Sequence, residues 1–130
     1  MKLKYLEYQG KEEKEKAITS ALNEMGPEGI RLYFTQKAVS KMKDVHNCTT
    51  LHEYFLRNTN DRDGVIVIDE ACMHSDLILG ALLMTMDPDK NVLFVQDKYE
   101  ISNMSNLIRS IKESKNNMVE YLPNKGGVII

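Results

Sequence analysis

The sequence predicts a single three-layer α/β domain over residues 1–130, a mostly parallel sheet of about five strands with helices on both faces. Two observations carry that expectation. Short β-branched runs alternate with segments of helical apolar spacing, which is the pattern of strand–helix–strand crossovers. One of those runs, Gly64-Val65-Ile66-Val67-Ile68-Asp69-Glu70-Ala71, is apolar at consecutive positions and then stops in two carboxylates. A strand covered on both faces reads this way, and open α/β sheets build their sites where such strands end.

Each element follows from its local pattern. Leu3 to Tyr8 alternates and reads as a strand, with Lys2, Lys4 and Glu7 marking it as a half-exposed edge. Lys11 to Met25 has Ala17, Ile18, Ala21, Leu22 and Met25 on one helical face, and Gly26-Pro27 ends it. Ile30 to Thr35 is a second strand, and Gln36 to Val45 a short helix with Ala38, Val39, Met42 and Val45 inward. Thr50-Leu51-His52-Glu53 has capping-box spacing and starts a helix that buries Leu51, Tyr54 and Phe55. Asn58 to Gly64 is a polar turn, and Val65 to Ile68 the third strand. Ser75 or Asp76 caps a helix to Met86 that is apolar nearly all round. Val92 to Gln96 follows as a fourth strand, then a helix capped by Ser102 with Met104, Leu107, Ile108 and Ile111 inward. Met118 to Leu122 and Val128 to Ile130, joined by Asn124-Lys125-Gly126-Gly127, form a C-terminal hairpin.

The formal charge of −2 excludes a chain that grips nucleic acid over its whole surface. The N-terminal lysines Lys2, Lys4, Lys11, Lys14 and Lys16 interleave with Glu7, Glu12, Glu13 and Glu15, which reads as a solvated, ion-paired helix face. No apolar run is long enough to span a bilayer, and Met1 to Tyr5 carries no signal-peptide core, so the expected place is the cytoplasm. Cys48 and Cys72 fit no zinc spacing and read as reduced thiols.

In a parallel sheet the strand C-termini share one rim. Here that rim gathers Gln9-Gly10, Thr35-Gln36-Lys37, Asp69-Glu70 and Gln96-Asp97-Lys98, with His74 and Ser75 just beyond the third strand. Asp69, Glu70 and Asp97 are the candidate catalytic acids, and Asp69 and Asp97 the candidate ligands of a Mg²⁺ ion, because hard cations take carboxylate oxygens. Gln9, Gly10, Thr35, Gln36, His74, Ser75, Gln96 and Lys98 are the candidate ligand-binding residues. His46, Cys48, His52, Cys72 and His74 form a second, irregular set of metal-ligand types, and Cys72 with His74 a nucleophile–base pair.

The run Val65 to Ala71 resembles the Walker B strand of P-loop nucleotidases and the Asp-Glu-Ala box of helicases. That resemblance implies an Asp on Mg²⁺ and a Glu orienting the attacking water. The Gly-x-x-x-x-Gly-Lys-Ser/Thr loop that cradles phosphates is missing upstream. The same strand is similar to the phospho-acceptor strand of response-regulator receivers, but Tyr8-Gln9-Gly10 stands where those carry an acid pair. It also resembles a Toprim arrangement, with Glu7 and then Asp69-Glu70, short of the second Asp of that family's Asp-x-Asp pair.

Two functions compete on this reading. The first is a binding module for a small molecule or a protein partner, regulatory or accessory, with no complete catalytic motif. The second is a Mg²⁺-dependent phosphoryl-transfer or phosphodiester enzyme using the rim acids. The surplus apolar surface of the Asp76–Met86 segment adds the expectation of a homodimer.

Overall fold

The computed structural model of the protein describes residues 1–57, 63–114, 118–122 and 128–129, with side chains for the first two stretches. In chain order the elements are β1 (Lys2–Tyr8), α1 (Lys11–Met25), β2 (Glu28–Tyr33), α2 (Gln36–Met42), β3 (Cys48–Thr50), α3 (Leu51–Arg57), β4 (Val65–Ile68), α4 (Asp76–Thr85), β5 (Val92–Asp97), α5 (Asn106–Glu113), β6 (Met118–Leu122) and β7 (Val128–Ile129). Short 3-10 turns at Ala71–Met73 and Lys98–Glu100 follow β4 and β5. The sheet order is β3-β2-β4-β5-β1-β6-β7. The first five strands of that order run parallel, and β6 and β7 join antiparallel.

Side-chain alternation along the strands sorts the core into two layers. Leu3, Tyr5, Ile30, Leu32, Ile66, Ile68, Val92 and Phe94 pack against Leu51 and Tyr54 of α3, Leu79, Leu82 and Leu83 of α4, and Ile108 and Ile111 of α5. On the other face Val65, Val67, Leu93 and Val95 pack against Ile18 and Ala21 of α1, and Tyr33 and Cys48 against Val39 of α2. The result is a three-layer α/β sandwich with α1 and α2 on one side and α3, α4 and α5 on the other. Among the described residues no helix is long and apolar enough to cross a membrane.

Close approach of the backbone fixes the entry to β4. Gly64 sits at φ 138°, and a Cβ there would lie 2.6 Å from the Pro27 carbonyl oxygen, so only glycine fits. Gly26, at φ 115°, ends α1 by donating its N–H to the Leu22 carbonyl at 2.8 Å.

Several expected boundaries move, each for a visible reason. β1 is not an edge: it lies between β5 and β6. Its charges are satisfied by other elements, Lys4 by Glu24 of α1 at 3.0 Å and Glu7 by Lys112 of α5 at 2.8 Å. β3 escapes a reading of the pattern because it is three residues long and runs directly into the α3 cap, where Thr50 Oγ1 accepts from the Glu53 N–H at 3.1 Å. α2 stops at Met42, leaving Val45 exposed rather than inward. The α5 cap is Ser105, not Ser102, because Ser105 Oγ is the oxygen that reaches the Ile108 N–H. In α4 the inward residues are Leu79, Leu82 and Leu83, with Ile78 partly covered, while Leu77 and Met84 are exposed. Residues 58–62 of the expected polar turn, and the whole of the expected turn at Asn124–Gly127, lie outside the described residues.

Candidate functional site

The connections leaving β2 and β4 diverge. α2 follows β2 on one face toward β3, and α4 follows β4 on the opposite face toward β5. Adjacent parallel strands whose crossovers part in this way leave a crevice at their C-terminal ends, where α/β sheets bind ligands. Asp69 sits at that point, 1% exposed, its N–H donating to the Leu32 carbonyl of β2.

The Asp69 carboxylate has two fixed partners. Oδ1 accepts the Glu70 N–H at 2.8 Å, and Oδ2 accepts from the Lys14 ammonium of α1. That ammonium lies 5.8 Å from the Tyr8 ring centroid and 6.0 Å from that of Tyr33, so it is held by a carboxylate and two aromatic faces. The Tyr33 side chain is buried, and its hydroxyl makes no hydrogen bond within the described residues. Burial raises the Tyr33 pKa, and the nearby Arg31 guanidinium opposes that rise.

Glu70 adopts the left-handed conformation, φ 52° and ψ 47°, and is the one non-glycine residue with positive φ among those described. Such a conformation costs about 1–2 kcal/mol for a residue with a Cβ. Here it turns the chain sharply from β4 into the Ala71–Met73 turn. Burial, and then the Asp69 charge, push the Glu70 carboxyl above its ordinary range, with Lys14 opposing. Burial raises Tyr8 as well, reinforced by Asp69, Asp97, Glu100 and Glu70. Four acids thus act on Tyr8 at this side of the rim.

The rim continues onto the other face of the sheet. His74, 4% exposed, places Nε2 3.1 Å from the Asp69 carbonyl oxygen, and Phe34 meets its ring edge-on at 5.3 Å. A carbonyl only accepts, so Nε2 carries the proton and Nδ1 of the neutral ring is an acceptor. Burial holds His74 below 6.5 and His52 adds to that, against the Asp69 carbonyl. Beside it a cleft of about 470 Å³ is lined by Cys72 to Asp76 and Asn103 to Asn106, between the heads of α4 and α5. Those heads are already capped: Ser75 Oγ accepts from Ile78, Ser105 Oγ from Ile108, and Asp76 Oδ1 from Leu107.

The remaining expected site residues are at the rim in supporting positions. Asp97 Oδ1 accepts the Tyr99 N–H at 3.0 Å and so caps the second 3-10 turn. Gln96 is buried: its Oε1 accepts from the Cys72 N–H and its Nε2 donates to the Asp97 carbonyl, tying the β4 and β5 loops together. Thr35 caps α2 through the Ala38 N–H, and Gln36 is exposed beside it. Gly10, at φ 81°, begins α1, while Gln9 meets the Tyr99 hydroxyl at 3.4 Å and Lys98 is exposed.

Among the described residues no group of three or more His, Cys, Asp or Glu side chains gathers at metal-binding spacing. The His and Cys set is split by the sheet. His46 lies 3.9 Å from both Glu15 and Glu28 on the α1 side, whereas His74 lies on the α4 side. Cys72 faces the Tyr5 hydroxyl at 3.9 Å, and burial raises its thiol pKa, the reverse of what a nucleophile paired with His74 needs.

Lys14, Tyr8 and Tyr33 are absent from the expected site, although the sequence carries a signal for Lys14. Continuing the Ile18, Ala21 and Met25 stripe one turn toward the N-terminus lands on Lys14, which points it at the sheet rather than at solvent. No protein-family model, curated protein or solved structure matches this chain.

Proposed function

We propose that the protein is a small-ligand-binding α/β module whose ligand is taken at the C-terminal rim, across Asp69, Glu70 and His74 into the cleft between α4 and α5. The observation that carries this reading is the buried Asp69 at the point where the crossovers diverge. Features that cost folding energy crowd around it: a left-handed Glu70, a buried Tyr33 hydroxyl with no acceptor for its proton among the described residues, and a histidine held neutral.

The electrostatics favour a cationic or neutral polar ligand over a polyphosphate. Asp69, Glu70, Asp97 and Glu100 all act on Tyr8, and Asp76 occupies the head of α5. Of the lysines near the rim, Lys14 is paired to Asp69 and Lys112 to Glu7, while Lys98 is exposed and acts on Glu7. The competing Mg²⁺-dependent phosphoryl-transfer reading draws on the same acids, with Asp69 and Asp97 as the metal ligands.

One titration tests both. Amide spectra of the ¹⁵N-labelled protein are followed with amines, amino alcohols, nucleosides and sugar phosphates, and separately with MgCl₂. Binding at the rim moves Asp69 to Asp76 and Asn103 to Asn106. Saturating Mg²⁺ shifts at Asp69 and Asp97 that sharpen with nucleotide favour the enzyme instead. Shifts confined to the opposite rim, around Gly26, Gly64 and Asn91, overturn the placement.

A further inference from the structure

The Lys14 ammonium rests on a buried carboxylate between two tyrosine rings, which is how proteins recognise an ammonium group from outside. We propose that Asp69, between Tyr8 and Tyr33, is the seat for the ammonium of an external primary amine, and that Lys14 holds this seat as a tethered occupant until such a ligand displaces it. The inference rests on the rim-binding reading and names its ligand class.

Three features argue for exchange rather than a permanent brace. The receptor half is rigid: Asp69 is 1% exposed, follows a central strand and is fixed by the Glu70 N–H. The occupant half is loosely held. Lys14 comes from the first turn of α1, whose cap is Gly10 at φ 81° with no side-chain cap bond, and its side chain is 22% exposed. Unwinding that turn loses few contacts, since Lys11, Glu12 and Glu13 are all exposed.

The third feature supplies the driving difference. A ligand shifts such an equilibrium only through a contact that the resting state lacks. The Tyr33 hydroxyl, buried and with no acceptor for its proton among the described residues, can donate to an oxygen, and an ammonium cannot accept. A primary amine with a neutral hydroxyl or carbonyl oxygen close to its nitrogen can pair with Asp69 and Tyr33 together. The ligand class is therefore small amino alcohols and amino-carbonyl compounds. Competition from a tethered lysine keeps their affinity modest, because the tether gives Lys14 a high effective concentration.

The experiment has two arms. In the first, Lys14→Ala opens a slot the length of 1-propylammonium beyond Cβ. The variant melts below wild type, and 1-propylammonium chloride restores most of the loss, while 1-propanol and sodium propionate at equal concentration do not. Equal rescue by propanol, or ammonium rescue that survives a second change, Asp69→Asn, overturns the proposal. The second arm uses wild type and stands even if Lys14→Ala fails to fold. Titration with 2-aminoethanol moves the Lys14 ε-methylene and Tyr33 ring signals along one saturable curve, and ethylene glycol leaves them in place. Unmoved Lys14 and Tyr33 signals overturn the proposal. If other small molecules still shift Asn103 to Asn106 in that sample, rim binding stands and only the amine seat falls.

Discussion

At Arg31 the cation is buried and its carboxylates lead out to water; at Asp69 the carboxylate is buried and its cation leads out. Both ion pairs fasten α1 to the same face of the sheet. The Arg31 side chain is 2% exposed, against 54% for Glu15 and 20% for Glu28. Its Nε and Nη2 fork onto Glu28 at 3.1 and 2.7 Å, and its Nη1 takes both oxygens of Glu15 at 3.2 and 2.9 Å. A planar guanidinium saturated in this way has one geometry, with one partner from its own strand and the other from α1. The Lys14–Asp69 pair is a point charge on a four-carbon stem, next to a phenol whose proton has no acceptor among the described residues. The first arrangement braces; the second leaves a buried anion whose partner can be changed. Burial of the anion rather than of the cation is what separates them.

The difference makes its largest prediction about single substitutions that keep volume. Lys14→Met leaves the Asp69 charge buried without its cation and should cost about 3 kcal/mol, the range for breaking a buried pair. Arg31→Met leaves Glu15 and Glu28, which can turn to water, and fills the space with an apolar chain; about 1–2 kcal/mol is expected. Urea unfolding at pH 7 measures both. The reverse order would mean that Asp69 is less isolated than its burial implies. Asp69→Asn placed on Lys14→Met should return part of the loss, because the stranded charge is gone.

Next in size is Glu70. Glycine meets no steric penalty at φ 52°, so Glu70→Gly should stabilise the fold by about 1 kcal/mol. It also removes a carboxyl that burial holds above its usual range, a group that opposes folding once ionised. An acid with a raised folded pKa favours the fold while protonated and loses that contribution as pH rises through the folded value. The gain from Glu70→Gly should therefore be larger at pH 7 than at pH 4. A destabilised Glu70→Gly would show that the carboxyl supports the turn after β4, which would blunt the claim that strain at this rim is kept for binding.

Much of the architecture is legible in the sequence because periodicity reports burial directly. The helix–strand alternation, the covered β4, the Gly26 stop and the shared edge of Asp69 and Asp97 all follow from patterns within single elements. What escapes depends on contacts between elements. Lys4 and Glu7 mark an edge strand until Glu24 and Lys112 arrive from two helices to pair with them. Lys14 reads as one more solvated lysine among alternating glutamates, and only the packing of α1 across β1 and β5 carries it to Asp69. Tyr33 reads as an ordinary strand aromatic. That its proton has no acceptor among the described residues is a property of the assembled rim and leaves no trace in the chain.

Each pair also has a histidine beside it, and the two should respond alike to pH for different reasons. Burial and then Arg31 hold His46 below 6.5, and burial and then His52 hold His74 below it. A base whose folded pKa is depressed contributes stability that is present above the unfolded value and lost as pH falls through the folded one. Wild type should thus weaken between pH 7 and pH 5. His46→Gln and His74→Gln should each flatten that slope by under about 1 kcal/mol. Only His74→Gln should alter the amide shifts of Asp69 and Glu70, because only His74 reaches the Asp69 carbonyl. Nitrogen-15 spectra should show the Nε2–H tautomer at His74, and a protonated Nδ1 there would separate the ring from the site.

The smallest effect on stability is expected at Leu77, in the first turn of α4. Leu77 is 80% exposed and Met73 48%, so they form apolar surface that neither the sheet nor α5 covers. Leu77→Lys removes no buried contact and should change unfolding by less than about 0.5 kcal/mol. Its effect belongs to association. Isolated exposed leucines are ordinary, but Leu77 in the first turn of α4 and Met73 in the 3-10 turn before it are apolar side chains that a second copy could bury by symmetry. If the homodimer uses this face, sedimentation equilibrium at micromolar concentration gives a dimer for wild type and a single chain for Leu77→Lys. A wild type already at the mass of one chain removes the homodimer and leaves the rim open to solvent on both sides of α4.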